Sequence, residues 1–118
     1  MTVSRKQRER GGRRAETIAA WWLRLKGWKI LARRLRIPLG EVDIVARRGR
    51  TVAFVEVKAR STAADVALAL DEYRLRRVAA AAGALAHRFA RQGDDIRIDA
   101  IFIVPRRFPR HMANVWHG

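Results

Sequence analysis

The chain has 118 residues, 49% of them apolar, and a formal net charge of +15 from 26 Lys and Arg against 11 Asp and Glu. That length suits one domain with a real core, which excludes a disordered chain; the absence of Cys excludes disulfides and thiolate metal sites, and no apolar run nears the roughly 18 residues of a spanning helix. The charge makes nucleic acid, ahead of a membrane surface, the expected partner, and a Cys-free chain fits a reducing compartment such as the cytoplasm.

Residues 1–12 read as a flexible basic arm, with Arg5, Lys6, Arg8 and Arg10 against Glu9 alone, and Gly11-Gly12 at its end. An Arg-rich organellar presequence shares that composition but would overlap the helix that follows, and Arg24 and Lys26 interrupt the apolar stretch that a secretory signal needs. From Arg13 to Lys26 the pattern is helical: Ile18, Trp21, Trp22 and Leu25 recur at i, i+3, i+4 and i+7, which assigns the two tryptophans to the core, and Gly27 is placed to end the helix. Glu16 shares a side with Ala19, Ala20 and Leu23 and so borders the apolar stripe, a position where an acid is commonly a solvated edge residue.

Trp28 to Arg36 reads as a first strand, Pro38-Leu39-Gly40 as a turn, and Glu41 to Arg47 as a second strand. After the short turn Arg48-Gly49-Arg50, Thr51 to Arg60 returns as an antiparallel third strand. A long helical pattern spans Ala64 to Ala90 with a candidate break near Asp71, and Ile96 to Val104 is a fourth, strongly β-prone strand ended by Pro105. Arg106 to Gly118 reads as a basic tail. This order, α-β-β-β-α-β, predicts an α/β fold in which a mixed β-sheet is flanked by helices: three antiparallel strands, then a fourth joined in parallel through the long helix.

Alternation puts Glu41, Asp43 and Val45 on one face of the second strand, with Val42 and Ile44 on the other; on the third strand Glu56, Lys58 and Arg60 oppose Val55 and Val57. If the register aligns the polar faces, Asp43 and Glu56 meet. Paired carboxylates beside an ammonium group suit a Mg²⁺ site for phosphodiester hydrolysis, although an antiparallel hairpin with one solvated face would show the same alternation. Lys58 is one of only four lysines among the 26 basic residues, and a compact ammonium fits beside a metal-bound water better than a guanidinium does. His87, His111 and His117 lack a metal-ligand spacing and read as structural or surface residues, while Trp28 and Trp116 are open between packing and base stacking.

These residues resemble a known pattern. Glu16, Asp43 and Glu56-Val57-Lys58 look like the site of the PD-(D/E)XK nuclease superfamily in its Holliday-junction-resolvase-like arrangement, and Ala15-Glu16, Gly40 to Val45, Phe54 to Arg60 and Arg97-Ile98-Asp99 resemble the bacterial YraN family of predicted endonucleases. The resemblance implies a restriction-endonuclease-like fold, a structure-selective DNA endonuclease of the bacterial cytoplasm acting on branched or flapped DNA, and a homodimer on symmetric junctions. It implies Asp43 and Glu56 as ligands of Mg²⁺ or Mn²⁺, with the Val57 carbonyl and Glu16 as auxiliary ligands. Lys58 would position the attacking water or steady the phosphorane-like charge, and Arg36, Arg60 and Arg74 would bind phosphate. Two departures stand out: Val42 replaces the superfamily's proline before the aspartate, and Arg74 stands where relatives often carry a lysine. A nucleic-acid-binding protein with a vestigial site is the alternative that the same acids allow.

Overall fold

The computed structural model of the chain describes residues 5–61 and 72–116. Its elements are α1 (Arg5–Leu25), β1 (Lys29–Ile37), β2 (Gly40–Arg48), β3 (Thr51–Ala59), α2 (Glu72–Phe89), β4 (Asp95–Ile103) and β5 (Arg110–Met112). The five strands form one sheet in the order β1-β2-β3-β4-β5, antiparallel except where β3 and β4 run parallel across the connection that contains α2. Among the described residues no helix is long and apolar enough to cross a membrane.

The central strand sets the layers. In β3, Val52 and Phe54 pack with Leu75, Val78 and Leu85 of α2, whereas Ala53 and Val55 pack with Ala19, Ala20 and Leu23 of α1. Alternation therefore feeds two cores, one on each side of the sheet, and explains why this strand reads as a nearly continuous apolar run. Burying a side chain such as Phe54 contributes about 1.5–3 kcal/mol relative to leaving it exposed.

Helix α1 departs from expectation in two ways. It begins at Arg5, so the segment read as an arm through residue 12 is helical from that point. Gly11-Gly12 suggested a break, but each mid-helix glycine costs only about 1 kcal/mol against alanine, and the surrounding Arg, Lys, Gln and Glu residues are good helix formers. The core face is also the other one: Ala15, Ala19, Ala20 and Leu23 are buried, while Ile18, Trp21 and Leu25 are 40%, 60% and 78% exposed. Two apolar stripes satisfy the helical period, and the smaller side chains win because they let the helix backbone settle closely onto Ala46 and Ala53 of the sheet. Gly27 ends α1 as expected, at φ +90°, with Gly27 N–H donating to Arg24 O and Trp28 N–H to Leu23 O in a Schellman arrangement.

The alternation of β2 slips at one point. Val42 and Val45 both join the core under α2, while Ile44 and Ala46 face α1. The expectation that Val42 and Ile44 share a face is thus corrected: the strand turns over between them, at Asp43. Across the ladder, the register that pairs Arg33 with Ile44 and Leu35 with Val42 puts Arg34 beside Asp43, and Arg34 has a left-handed φ of +54°. The irregularity is therefore shared by both strands at that level, and a left-handed non-glycine residue is uncommon enough to mark a constrained site.

At the carboxyl end, Arg110–Met112 is a fifth strand on β4, a correction to the basic tail. Three residues, Arg110 to Met112, are too few to show a period, and their pairing comes from the exposed edge of β4. The long helical pattern is helical over Glu72–Phe89, and its expected beginning at Ala64 and break near Asp71 lie outside the described residues.

One glycine controls the approach of α2 to the sheet. A Cβ on Gly40 would meet the Arg77 carbonyl, with the Arg77 carbonyl carbon only 2.8 Å away. Gly40→Ala should therefore lower stability by about 1–3 kcal/mol, as overpacking against backbone does, whereas Gly83→Ala, which meets nothing within 4 Å, should raise it by about 0.5–1 kcal/mol. Thermal unfolding of both variants checks this; a Gly40→Ala protein melting with the parent contradicts the close approach.

Candidate active site

Where the sheet leaves the apolar core, β3 carries Glu56 and Lys58 on the side facing α2, and both are buried at 5% and 2% exposure. Their side chains pair, Lys58 Nζ lying 3.3 Å from Glu56 Oε1. Arg74, in the first turn of α2, brings its Nε to 3.7 Å from the same oxygen. Among the described residues Glu56 Oε2 is buried without a hydrogen-bond partner, a costly condition for a carboxylate oxygen.

The neighbouring strand supplies the second acid. The β2–β3 ladder runs from Arg48↔Thr51 to Ile44↔Val55, and extending it sets Asp43 opposite Glu56. There the Val57 N–H donates to Asp43 Oδ2 at 2.7 Å, a side chain standing in for a strand partner. Burial pushes the Asp43 carboxyl up to about 6; the Val57 N–H opposes that rise, the charges of Glu56 and Glu16 reinforce it, and Arg74 offsets part of it. Asp43, Glu56 and Glu41 line a cavity of about 230 Å³ closed by Tyr73, Arg74, Arg77 and Val78 of α2.

Glu16 stands differently from the other acids. It is buried on α1, and its Oε1 accepts from both Arg33 Nε and Arg34 Nε at 3.0 Å. Its charge reaches Asp43, but Glu16 does not line the cavity. The left-handed backbone at Arg34 allows two consecutive arginines to reach the same carboxylate, which strict alternation would forbid. Among the described residues no three His, Cys, Asp or Glu side chains converge as a metal-holding group; of the expected acids Asp43 and Glu56 line the cavity, together with Glu41.

The remaining expected residues divide. Arg74 reaches the cavity; Arg36 is highly exposed and pairs with Glu41 at 3.4 Å; Arg60 is partly exposed and donates to the adjacent Ala59 carbonyl. Tyr73, which no sequence signal marks, and Arg77 also line the cavity; Arg77 lies three residues from Arg74 on the same helical face, and Gly40 draws it close.

A second acidic centre, Asp99, lies on the α1 side of the sheet. Fully buried, it accepts from Arg97 Nε and Nη2 at 3.0 and 2.9 Å, from the Asn114 N–H at 2.9 Å, and meets His111 Nε2 at 2.7 Å. Burial alone would raise its pKa, but the bonds from His111, Arg97 and Asn114 outweigh it and hold Asp99 at about 2. This network fastens β5 and the following residues to β4, giving His111 a structural place. Trp28 is buried beside it, 3% exposed, with the guanidinium groups of Arg48 and Arg97 over its ring, and Trp116 packs against the core under α2.

The profile of the uncharacterised protein family UPF0102 matches residues 15–103. UPF0102 proteins of Sphingopyxis alaskensis and Erythrobacter litoralis are 66% and 58% identical to the chain over 114 residues, covering 97% of it and 98% of each relative. A UPF0102 protein of Parvibaculum lavamentivorans is 51% identical, over 89% of the chain and 80% of its own length. Among solved structures, Hjc of Archaeoglobus fulgidus, a Holliday junction resolvase from an archaeal hyperthermophile, superposes with a TM-score of 0.60 at 20% identity, over 85% of this chain and 73% of that one. The likeness establishes the restriction-endonuclease-like fold of the mixed sheet and its helices.

The raised pKa of Asp43 has a definite sign in stability. A carboxyl at about 6 when folded and 3.8 otherwise binds its proton more tightly in the fold, so this contribution is complete below about pH 4 and lost as pH rises through 6. Ionised Asp43 then opposes folding by about 3 kcal/mol. Asp43→Asn keeps an acceptor for Val57 and should melt above the parent at about pH 7.5 in chelator, with the gain fading towards pH 4. Thermal unfolding across that range checks it; a variant that melts below the parent at the higher pH contradicts the burial of Asp43.

Proposed function

The chain belongs to the UPF0102 family, the YraN family, and on that premise we propose that it is a divalent-metal-dependent endonuclease that hydrolyses phosphodiester bonds in branched or flapped DNA. One observation carries the reading: a buried Glu56–Lys58 pair with an uncompensated carboxylate oxygen, set beside an Asp43 whose proton affinity is raised. Strands used only for packing have no need of Glu41, Asp43 and Glu56 in one partly closed cavity, with a buried Lys58 paired to Glu56. The fold of a Holliday junction resolvase supports the reading as an analogy of architecture.

The donor set fits a hard cation. Mg²⁺ is commonly held by one or two carboxylates and keeps its other positions for water and phosphate, so Asp43 and Glu56 would hold Mg²⁺ or Mn²⁺, with the Val57 carbonyl as a further oxygen. When bound, the ion would lower the pKa of a water and polarise the phosphoryl oxygen. Asp43 is a carboxylate above about pH 6, and the buried Glu56 Oε2, which has no partner among the described residues, would take a cation. Lys58, shielded from bulk water, donates to an oxygen beside Glu56, either the attacking water or a non-bridging phosphate oxygen.

Arginines complete the proposed surface. Arg74 and Arg77 rim the cavity and would seat the scissile phosphate, and Arg36 and Arg60 would continue the contact along the backbone. Glu16 acts in this reading by orienting Arg33 and Arg34, since its oxygens are engaged by their guanidinium groups. Two copies on a symmetric junction would address related strands, and a DNA substrate would fit an activity in the bacterial cytoplasm.

With Mg²⁺ or Mn²⁺ the purified protein should nick branched or flapped DNA, and Glu56→Gln or Asp43→Asn should reduce cutting by at least about a hundredfold while leaving DNA affinity within a few-fold. Mg²⁺ should also raise the melting temperature of the parent and not that of Asp43→Asn. Undiminished cleavage by both variants would reject the assignment, and DNA binding without metal-dependent product would favour a vestigial site.

A further inference from the structure

The outer face of α1 is apolar, aromatic and open. Trp21 and Leu25 are 60% and 78% exposed, and Phe108, in the turn between β4 and β5, is 84% exposed. Phe108 is not an isolated ring: its centroid lies 5.8 Å from that of Trp22, with the planes tilted by 32°. The segment that presents it runs Pro105-Arg106-Arg107-Phe108-Pro109, closed by a bond from Arg107 N–H to the Val104 carbonyl and carrying a left-handed φ of +65° at Arg106. Two prolines and a left-handed arginine restrict the turn, so Phe108 is held out with little freedom left to lose on binding.

Cations are interleaved with these rings. The Arg24 guanidinium lies 4.9 Å from the Trp21 ring centroid and Lys26 Nζ 4.7 Å from that of Trp22, while Arg106 and Arg107 are exposed beside Phe108. That composition selects among occupants. The core of a protein interface is depleted of charge, and a second copy would press this basic face against another in a chain of net charge +15. An interfacial membrane helix keeps its cations on the face away from the acyl chains, whereas here they lie on the indoles. Sequence-tolerant single-strand binding joins aromatic platforms for the bases with cations for the phosphates.

We infer that the exposed rings of Trp21 on α1 and of Phe108, the latter seated against Trp22, each stack on unpaired bases, with Arg24, Lys26, Arg106 and Arg107 neutralising the phosphates of a single strand. The inference deepens the nuclease reading and rests on it for its purpose: a branched or flapped substrate differs from plain duplex by its unpaired strand. The platform and the acids are joined by α1, because Trp21 follows Glu16 by five residues, a rise of about 7.5 Å, and Glu16 holds Arg33 and Arg34 next to Asp43.

The test measures binding in chelator, where no cleavage occurs, with a labelled thymidine oligonucleotide of about a dozen residues. The parent should bind it with quenching of tryptophan fluorescence. Trp21→Ala and Phe108→Ala should each weaken that binding about fivefold or more, Trp21→Phe should restore most of it, and affinity for a duplex of equal length should change less than about twofold. No charge is removed, so the salt dependence should keep its slope. Unchanged oligonucleotide affinity in both alanine variants overturns the inference. So does a Trp21→Ala effect confined to self-association in sedimentation, or to binding of phosphatidylserine vesicles. Glu56→Gln should bind the oligonucleotide as the parent does, so loss of the nuclease reading through absent cleavage and loss of the platform through unaltered binding are separate results.

Discussion

Two opposite charges buried at the end of an apolar strand are the constraint around which the structure is arranged. Removing a carboxylate or an ammonium group from water costs several kcal/mol even after relaxation, and only close pairing and further hydrogen bonds offset it. Glu56 and Lys58 have each other at 3.3 Å, with Arg74 at 3.7 Å from the same oxygen, yet Oε2 of Glu56 has no partner among the described residues. A core selected for stability alone would place apolar residues here. The surrounding features follow from the pair: Gly40 lets α2 come close enough to deliver Arg74 and Arg77, and the slip in β2 turns Asp43 toward the same cavity.

Two aspartates show how differently the same fold treats one side chain. Asp99 is fully buried, but bonds from Arg97, His111 and Asn114 hold its proton affinity down, so its contribution to stability is present above about pH 4 and lost as pH falls towards 2. Asp43 receives one N–H and faces the charges of Glu56 and Glu16, and its proton affinity rises to about 6. Asp99 is satisfied and fastens β5 to the sheet. Asp43 is incompletely compensated and sits in a cavity, the combination expected where charge is to be matched by a ligand.

Much of this was legible in the residues, and the failures have common causes. The period-two pattern of Thr51 to Arg60 gave β3 and the shared face of Glu56 and Lys58, while the register that sets Asp43 opposite Glu56 was left open by the sequence and is fixed by a two-residue turn at Gly49-Arg50. The order of elements gave the mixed sheet because a parallel neighbour for β3 needs a crossover of helical length. What escaped was tertiary. Ile18, Trp21, Trp22 and Leu25 fit a helix as well as Ala15, Ala19, Ala20 and Leu23 do, and only the closeness of the sheet decides between the stripes. The overturn of β2 at Asp43 and the left-handed Arg34 break the strand period locally, and β5 depends on an edge that no local pattern reveals.

Glu16 depends on both the helix face and the strand irregularity. Its position on α1 is fixed by the alanine face, and its partners are supplied by the irregular backbone of β1. Two guanidinium groups on one buried carboxylate leave excess positive charge directed outward, next to an acid pair that needs it. A metal ligand would have to surrender those contacts, whereas an orienting residue uses them. The geometry gives the acid of the first helix different surroundings from the acids of the strands: Asp43 and Glu56 line the cavity, whereas Glu16 lies outside it and is engaged by Arg33 and Arg34.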